Sequence, residues 1–562
     1  MITSHVPKSA LVAACFFALL STVAFGQLQV GSGNTAFADP PVPHPNTTPC
    51  KVVLFDGYKF DNYTPQNFPY SPPAACPGPW AEVVLEADFS ISEGNQYDRT
   101  ANIWIGPTNI YFGTTSEPDQ NKGRHWHVER DLTDYSSIFT AAQTGTVYLF
   151  NTYNKQYNGL LHGAATLYFY PLAPNQLPPV TADQVIGFSG GPDGGTVGLD
   201  NSGQCCQTQL AETLTFPTNI ESLFFDVFAQ SQHNDEFWYT CVPNDIASEL
   251  QDCGSTAFRE SEITIDGIPA GVAPVYPWIF TGGIDPFLWI PTPGVQTMNF
   301  KPYQVNLTPF AGILNDGNPH TIALSVFNAD FYFSATAALR LYLDHGSTQV
   351  TGGVTTNTLT APNPVIVENL HSTKAGLAGT VNTKSGHNFE ISGYANTSHG
   401  VVTTTVRQAI NFSNLQYFKS TNTEFEQNIK QGTTVHSVVT VNSNEGTRIT
   451  TVNHDWPLLL DYLVLVAPDG SETVTTTSNQ YFEADDEARL NGIPTTFGES
   501  QNRVISTDTL NFDSSGNFTG NTNMSSSQNY FASDSTGYCY SRDLTAAANV
   551  LTSITNGVGC SK

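Results

Sequence analysis

A chain of 562 residues, 40% hydrophobic and only 12% charged, is long enough for two to four domains with sizeable cores. Its 49 acidic against 21 basic side chains give a formal net charge of −28, which excludes nonspecific nucleic-acid binding and polybasic membrane contact, since both need Lys and Arg set against phosphate. Too few Glu and Lys remain for coiled coils or helical repeats, and 12% aromatics with 45 Gly and 35 Pro describe a large β-protein with many turns.

The N-terminus reads as a signal peptide. Lys8 supplies a basic start and Ser9 to Phe25 is apolar, with cleavage expected after Gly26 and Ala38 as the second choice. The apolar run is too short for a membrane span. The mature chain is therefore expected to be secreted or periplasmic, free of the membrane, and monomeric. Residues 27–49, rich in Gly, Pro and Asn, are expected to be a flexible leader.

Structure is expected to begin near Cys50. Val83 to Ile91 alternates, with Leu85, Ala87, Phe89 and Ile91 on one face. Ala101–Ile105, Thr146–Asn151 and Ala164–Tyr170 are further short strands bounded by turn residues. Residues 50–175 are expected to form an N-terminal jelly roll. Prolines 171, 174, 178 and 179 mark a linker. A second jelly roll is expected over 176–349, with strands near Ser222–Gln230, Ser261–Asp266, Tyr303–Leu307 and His320–Asn328. Residues 350–562 alternate Thr and Val and are expected to be a β-rich accessory domain. The fold class is all-β: two side-by-side antiparallel jelly-roll sandwiches and a further β-rich C-terminal domain.

Once Cys15 is removed with the signal peptide, an even set of cysteines remains, which in an exported chain argues for disulfides. Local loops suggest Cys50–Cys76, Cys241–Cys253 and Cys539–Cys560, leaving the adjacent Cys205 and Cys206.

Two polar clusters interrupt the strand pattern. In Gln96-Tyr97-Asp98-Arg99-Thr100-Ala101-Asn102, a carboxylate beside a guanidinium at the start of a strand suits a general base with charge support. A structural ion pair or Asx-turn is the plainer alternative. In Gln232-His233-Asn234-Asp235-Glu236-Phe237-Trp238-Tyr239, acids adjoin aromatics. Aromatic faces pack on sugar rings, and an apolar wall raises a carboxyl pKa, which helps a general acid. The alternative is a polar loop with core aromatics. A third stretch, Arg124 to Asp131, holds His125 and His127 on one strand face but no third metal ligand, so no metal is assigned. No nucleotide-binding loop occurs, and no cofactor is expected.

At these residues the chain resembles the peptide:N-glycosidase A family, glycoamidases that release N-glycans from asparagine. The matching runs include Gln96-Tyr97-Asp98-Arg99, Trp126-His127-Val128-Glu129-Arg130-Asp131, Asp235-Glu236-Phe237-Trp238-Tyr239, Phe258-Arg259-Glu260 and Thr281-Gly282-Gly283-Ile284-Asp285-Pro286-Phe287-Leu288-Trp289. The acidic, low-charge composition looks like that of secreted, acid-tolerant microbial members. A more distant similarity is to the bacterial peptide:N-glycosidase F type, whose catalytic aspartate lies in an Asp-Arg-x-Ala-Asn segment matched by Asp98 to Asn102. That family's second acid precedes a Phe-Arg pair resembling Phe258-Arg259, but Gly254-Ser255-Thr256-Ala257 holds no acid. Glu236 is taken as the replacement, with Glu260 as the alternative.

The resemblance implies hydrolysis of the amide between an asparagine side chain and the first N-acetylglucosamine, on N-glycosylated peptides and glycoproteins. Asp98 would orient or deprotonate water, and Glu236 would supply the acid or hold the sugar. Arg99 and Arg259 could stabilise developing charge, and Trp238 and Trp126 could pack on the sugar core. Arg259 shares a strand face with Ile263 and Ile265 and so needs a buried acidic partner. His233, Asp235 and Glu260 complete the supporting set. The rival readings are an endo-acting glycoside hydrolase on N-glycans, which two carboxylates would serve equally well, and a secreted glycan-binding protein without catalysis.

Overall fold

The computed structural model describes residues 28–560 apart from 202, 204 and 375. The expected signal peptide lies outside the described residues. The described chain is almost wholly antiparallel β-structure, as short alternating segments between Gly, Pro and Asn turns require.

Eight strands form the first sandwich. One sheet runs in the order Cys50–Phe60, Leu161–Pro171, Trp80–Ile91, Arg124–Asp131, and the other Gln66–Tyr70, Gln143–Leu149, Thr100–Ile105, Thr108–Thr114. Strand positions 1-8-3-6 facing 2-7-4-5 are a jelly roll. Its core is built by alternation: Leu85, Ala87, Phe89 and Ile91 are all buried, and Phe89 stacks on Tyr111 of the facing sheet at 5.6 Å.

The second sandwich repeats the pattern. Val197–Leu199, Tyr332–Leu343, Ile220–Gln232 and Tyr303–Asn306 make one sheet, with Gln184–Phe188 added beside Tyr332–Leu343. Leu210–Thr215, Pro319–Phe327, Glu260–Ile265 and Ile268–Pro274 make the other. The two jelly rolls lie side by side. Tyr111 Oη donates to Met298 O at 2.7 Å, and Phe300 N to Phe112 O at 2.9 Å.

From Thr351 to Asn556 the chain builds one eleven-stranded antiparallel sheet, with strands of up to 22 residues, the longest about 70 Å at the usual rise. Its Thr- and Val-rich strands keep one face exposed. The other face, with Ile410, Phe412, Trp456 and Leu458, shares a hydrophobic core with the second jelly roll. Polar side chains on that face cap loops of the jelly roll: Asn414 Nδ2 donates to Tyr239 O at 2.9 Å and Gln416 Nε2 to Cys241 O at 3.0 Å.

Two expectations change. Residues 28–49 are not a loose leader. Gly31 N donates to Leu551 O at 2.7 Å and Leu551 N to Ser32 O at 2.9 Å, so the segment pairs with the last strand of the large sheet. Ala36 and Ala38 are buried against Leu544 and Leu551. The Arg124 guanidinium donates to Gly33 O, and Thr35 Oγ1 to Ser116 Oγ at 2.8 Å. The small residues that suggested mobility allow close packing instead. Second, Cys50 and Cys76 stand as neighbouring thiols, with Cys76 Sγ turned to Phe169 O at 3.6 Å. Burial, and then Cys50, push the Cys76 thiol up to about 11. The pairs 205–206, 241–253 and 539–560 are disulfides.

Candidate active site

Asp98 sits just before the strand Thr100–Ile105, on the side of the first jelly roll that meets the second. The hairpin Thr100–Ile105/Thr108–Thr114 continues past its last regular pair: Arg99 N donates to Thr115 Oγ1 at 2.8 Å, and Thr115 N to Arg99 O at 2.8 Å. This register delivers a second acid. Asp98 N donates to Glu117 Oε1 at 3.2 Å. Glu117 was not singled out from the sequence. The signal was present in the Gly106-Pro107 turn, which folds the residues after Thr114 back beside Asp98.

From the second jelly roll comes the loop 281–285. The Gly282 backbone packs against the Asp98 carboxylate, and its amide opposes the rise of that acid. Thr281 Oγ1 donates to Thr115 O at 2.5 Å and anchors the loop to the same hairpin. On its other side the loop meets the segment that holds Glu236: a Cβ on Gly283 would touch Phe237 at 3.4 Å. One glycine-bearing loop thus sits between the Asp98 and Glu236 segments.

The electrostatics couple the three acids. Burial raises Asp98, but the Gly282 amide and the Arg99 charge oppose it. Burial, and then the negative charge of Asp98, push Glu236 up to about 7 and Glu117 up to about 8. Burial thus raises all three, and the negative charge of Asp98 adds to the rise of the other two. The cluster can hold one carboxylate to orient water and neutral carboxyls to protonate a leaving group.

Glu236 owes its place to a buried ion pair. Asp235 Oδ1 accepts from Arg259 Nε at 2.8 Å, and both side chains are fully buried. Asp235 also accepts from Asp330 N at 3.1 Å and Phe331 N at 2.8 Å, and Arg259 donates to Thr256 O at 2.8 Å and Phe258 O at 3.0 Å. Arg259 thus has the acidic partner its strand position demanded, and it does not face the three acids. Its expected role in charge stabilisation is corrected to holding the Glu236 loop. Arg99 remains beside the acids and donates from Nη2 to Gln96 Oε1 at 3.0 Å.

Other expected site residues are also placed elsewhere. Glu260 is buried against His387 of the large sheet, 2.8 Å from Nε2, and is no second acid of this cluster. Trp238 is 1% exposed and packs on Tyr239 and Phe412. Trp126 is 3% exposed and stacks on Phe89 in the first core. Neither indole can reach a sugar. The aromatics with free surface beside Asp98 are Tyr97, 52% exposed, and its neighbour Tyr157, with ring centroids 5.3 Å apart. His233, exposed and in the left-handed region at φ 55°, stacks on Phe331 at 4.0 Å. On the outer face of Arg124–Asp131, burial alone would lower His127, but its bonds to Asp88 and Glu129 raise it to about 10. That makes it an ion-paired cation.

The family model for peptide N-acetyl-beta-D-glucosaminyl asparaginase amidase A matches residues 40–359. A relative from Prunus dulcis, peptide-N4-(N-acetyl-beta-glucosaminyl)asparagine amidase A, is 32% identical over 397 residues, covering 66% of this chain and 67% of its own. It is a plant protein, so the microbial origin expected from composition finds no support there. Among solved structures, PNGase F from Flavobacterium meningosepticum covers 53% of this chain and 96% of its own, at 13% identity and a TM-score of 0.34. PNGF-II covers 53% and 65%, at 11% identity and a TM-score of 0.37. No residue role is taken from these two weak structural likenesses. The match across more than half of the chain, joined to the relative that spans two thirds of it, places this protein in the peptide N-acetyl-beta-D-glucosaminyl asparaginase amidase A family.

Proposed function

We propose that this protein hydrolyses the amide between an asparagine side chain and the first N-acetylglucosamine of an N-glycan, with Asp98, Glu236 and Glu117 as its catalytic acids. The family membership carries the reaction, and the cluster of Asp98, Glu236 and Glu117 about the Gly282 loop carries the residue roles. Asp98 orients water and takes its proton as oxygen bonds to the amide carbon. Glu236 protonates the departing nitrogen as the carbon–nitrogen bond breaks. Glu117 holds the Asp98 amide and supplies a neutral hydrogen-bond donor for the oxyanion. Arg99 limits the charge of the cluster, and Tyr97 with Tyr157 offers the ring surface for the sugar core. The products are an aspartate-containing peptide and a glycosylamine, which water converts to the free glycan and ammonia.

The substrates are N-glycosylated peptides and glycoproteins. We read the enzyme as exported, monomeric and suited to acid: it carries disulfides, and no described helix is long and apolar enough to cross a membrane.

The test is mass spectrometry of a defined N-glycopeptide incubated with the mature chain in heavy-oxygen water at acidic pH. Asparagine should become aspartate carrying the heavy oxygen, with the whole glycan released. One N-acetylglucosamine left on unchanged asparagine would make the protein a glycosidase instead. Asp98→Asn should bind glycopeptide and lose turnover about 100-fold or more. A fully active Asp98→Asn removes the assignment of that residue.

A further inference from the structure

Two buried acids meet behind the loop that carries Gly282. Asp285 caps the short helix Pro286–Trp289, with Oδ1 accepting from Phe287 N at 2.9 Å. Asp508 lies on the strand Ile493–Phe512 of the large sheet, and its Oδ1 accepts from Asn521 Nδ2 at 3.1 Å. The second oxygen of each is buried without a hydrogen-bond partner, and the two carboxyls lie close enough to shift each other's ionisation. Such a contact requires a proton between them, because two adjacent buried carboxylates cannot both ionise. Burial raises both acids. For Asp285 the Phe287 amide opposes this and Asp508 adds to it; for Asp508 the bond from Asn521, the Thr509 amide and Asp285 oppose it. Tyr462, on the strand Gly446–Val466, is the other titratable group facing the pair. No Lys, Arg or His is among the groups that shift either acid.

The loop they hold is strained. Ile284 sits at φ 64°, a left-handed conformation that a β-branched residue keeps only when its surroundings impose it. Asp285 N donates to Gly283 O at 2.7 Å and Trp289 Nε1 to the same oxygen at 2.9 Å. Phe287 stacks on Phe518 of the large sheet at 5.7 Å. Asp285, its helix and the sheet they rest on thus hold the loop from the side away from Asp98, beside the contact with Phe237.

We propose that Asp285 and Asp508 are positioning residues whose shared proton latches the Gly282 loop against Asp98, so that the site is assembled in acid and slackens as the pair loses its proton. The inference rests on the reading of Asp98 as catalytic. The sign follows from linkage: acids raised on folding contribute stability that is complete below their unfolded values and is lost as pH rises through the folded ones.

Asp508→Asn keeps the shape, donates an amide hydrogen to Asp285 and removes the second charge. Melting temperature and kcat/KM of variant and wild type should be compared from about pH 4.5 to about pH 9. The melting curves should cross: the variant equals or falls below wild type in acid and exceeds it in alkali. The variant should also retain roughly threefold or more of the wild-type relative activity at the alkaline end. Glu236 and Glu117 set an alkaline limb common to both proteins, so the difference between the two reports the pair. Asp285→Asn, which preserves the cap to Phe287, gives the same crossing if Asp508→Asn fails to fold. A parallel loss at every pH overturns the shared proton, and crossing melting curves over an unchanged activity profile overturn the positioning role. The melting curves read the pair whatever the substrate, so failure of the amidase reading would show separately, as an untouched glycopeptide with wild-type enzyme.

Discussion

Gly282 packs against the carboxylate of Asp98 in a space that excludes a methyl group. A Cβ there would lie 2.5 Å from Asp98 Oδ1 and 2.5 Å from Glu117 Oε1. Gly282→Ala must therefore push both acids aside. Carboxylate ends move easily, so the melting temperature should change little. Displacing a reacting group by about an ångström costs roughly 100-fold in rate, and kcat should fall by between about 10- and 100-fold. A kcat within twofold of wild type would mean that this contact does not set the position of Asp98.

The pH profile should discriminate between Glu236 and Glu260. Burial and the charge of Asp98 hold Glu236 protonated up to about 7. If its acid form protonates the leaving nitrogen, kcat/KM falls about tenfold per pH unit above that value, and an acid limb appears where Asp98 takes up its proton. Glu236→Gln should abolish most activity at every pH. Glu260→Gln should keep the alkaline limb and instead lower stability by about 1–3 kcal/mol, the cost of weakening a buried bond to His387. The reverse pattern would return Glu260 to the site.

Asp235→Ala tests the support beneath Glu236. It strands the Arg259 guanidinium, whose side chain is fully buried. Breaking one partner out of such a pair costs roughly 3–5 kcal/mol. Denaturant unfolding should show a loss of that size; a change under about 1 kcal/mol would mean water reaches Arg259.

The N-terminal strap predicts a difference between a chain that starts after Gly26 and one that starts after Ala38. A chain starting after Ala38 lacks the pairing with Leu551 and the contacts of Thr35 and Ala36, all present in a chain starting after Gly26. The shorter form should melt at a lower temperature and lose activity first on heating. Equal melting temperatures would make the strap a passive surface segment.

Much of the scaffold could be read from residue order. The alternation of Leu85, Ala87, Phe89 and Ile91 placed a core face, because side chains alternate across a strand whatever it pairs with. The polar Asp98-Arg99 before an apolar strand, and Asp235-Glu236 after one, marked the ends of strands, where loops meet neighbouring units. Chemical type also announced that Arg259 needs an acid, since a buried guanidinium cannot go unpaired.

What the sequence determined by itself is local: strand period, turn position, and the charge that burial must compensate. Tertiary structure decided the rest. Glu117 reaches Asp98 only through hairpin register, and Gly282 only because two jelly rolls lie side by side. Trp238 and Trp126 have the side chains of a sugar platform but are packed inside, whereas Tyr97 is exposed. The same carboxyl chemistry serves the acid proposed for Glu236, the buried pair of Glu260 and the latch proposed for Asp285. Environment sorts them, because a carboxyl's protonation state depends on the burial, charges and donors around it, and those come from residues distant in the chain.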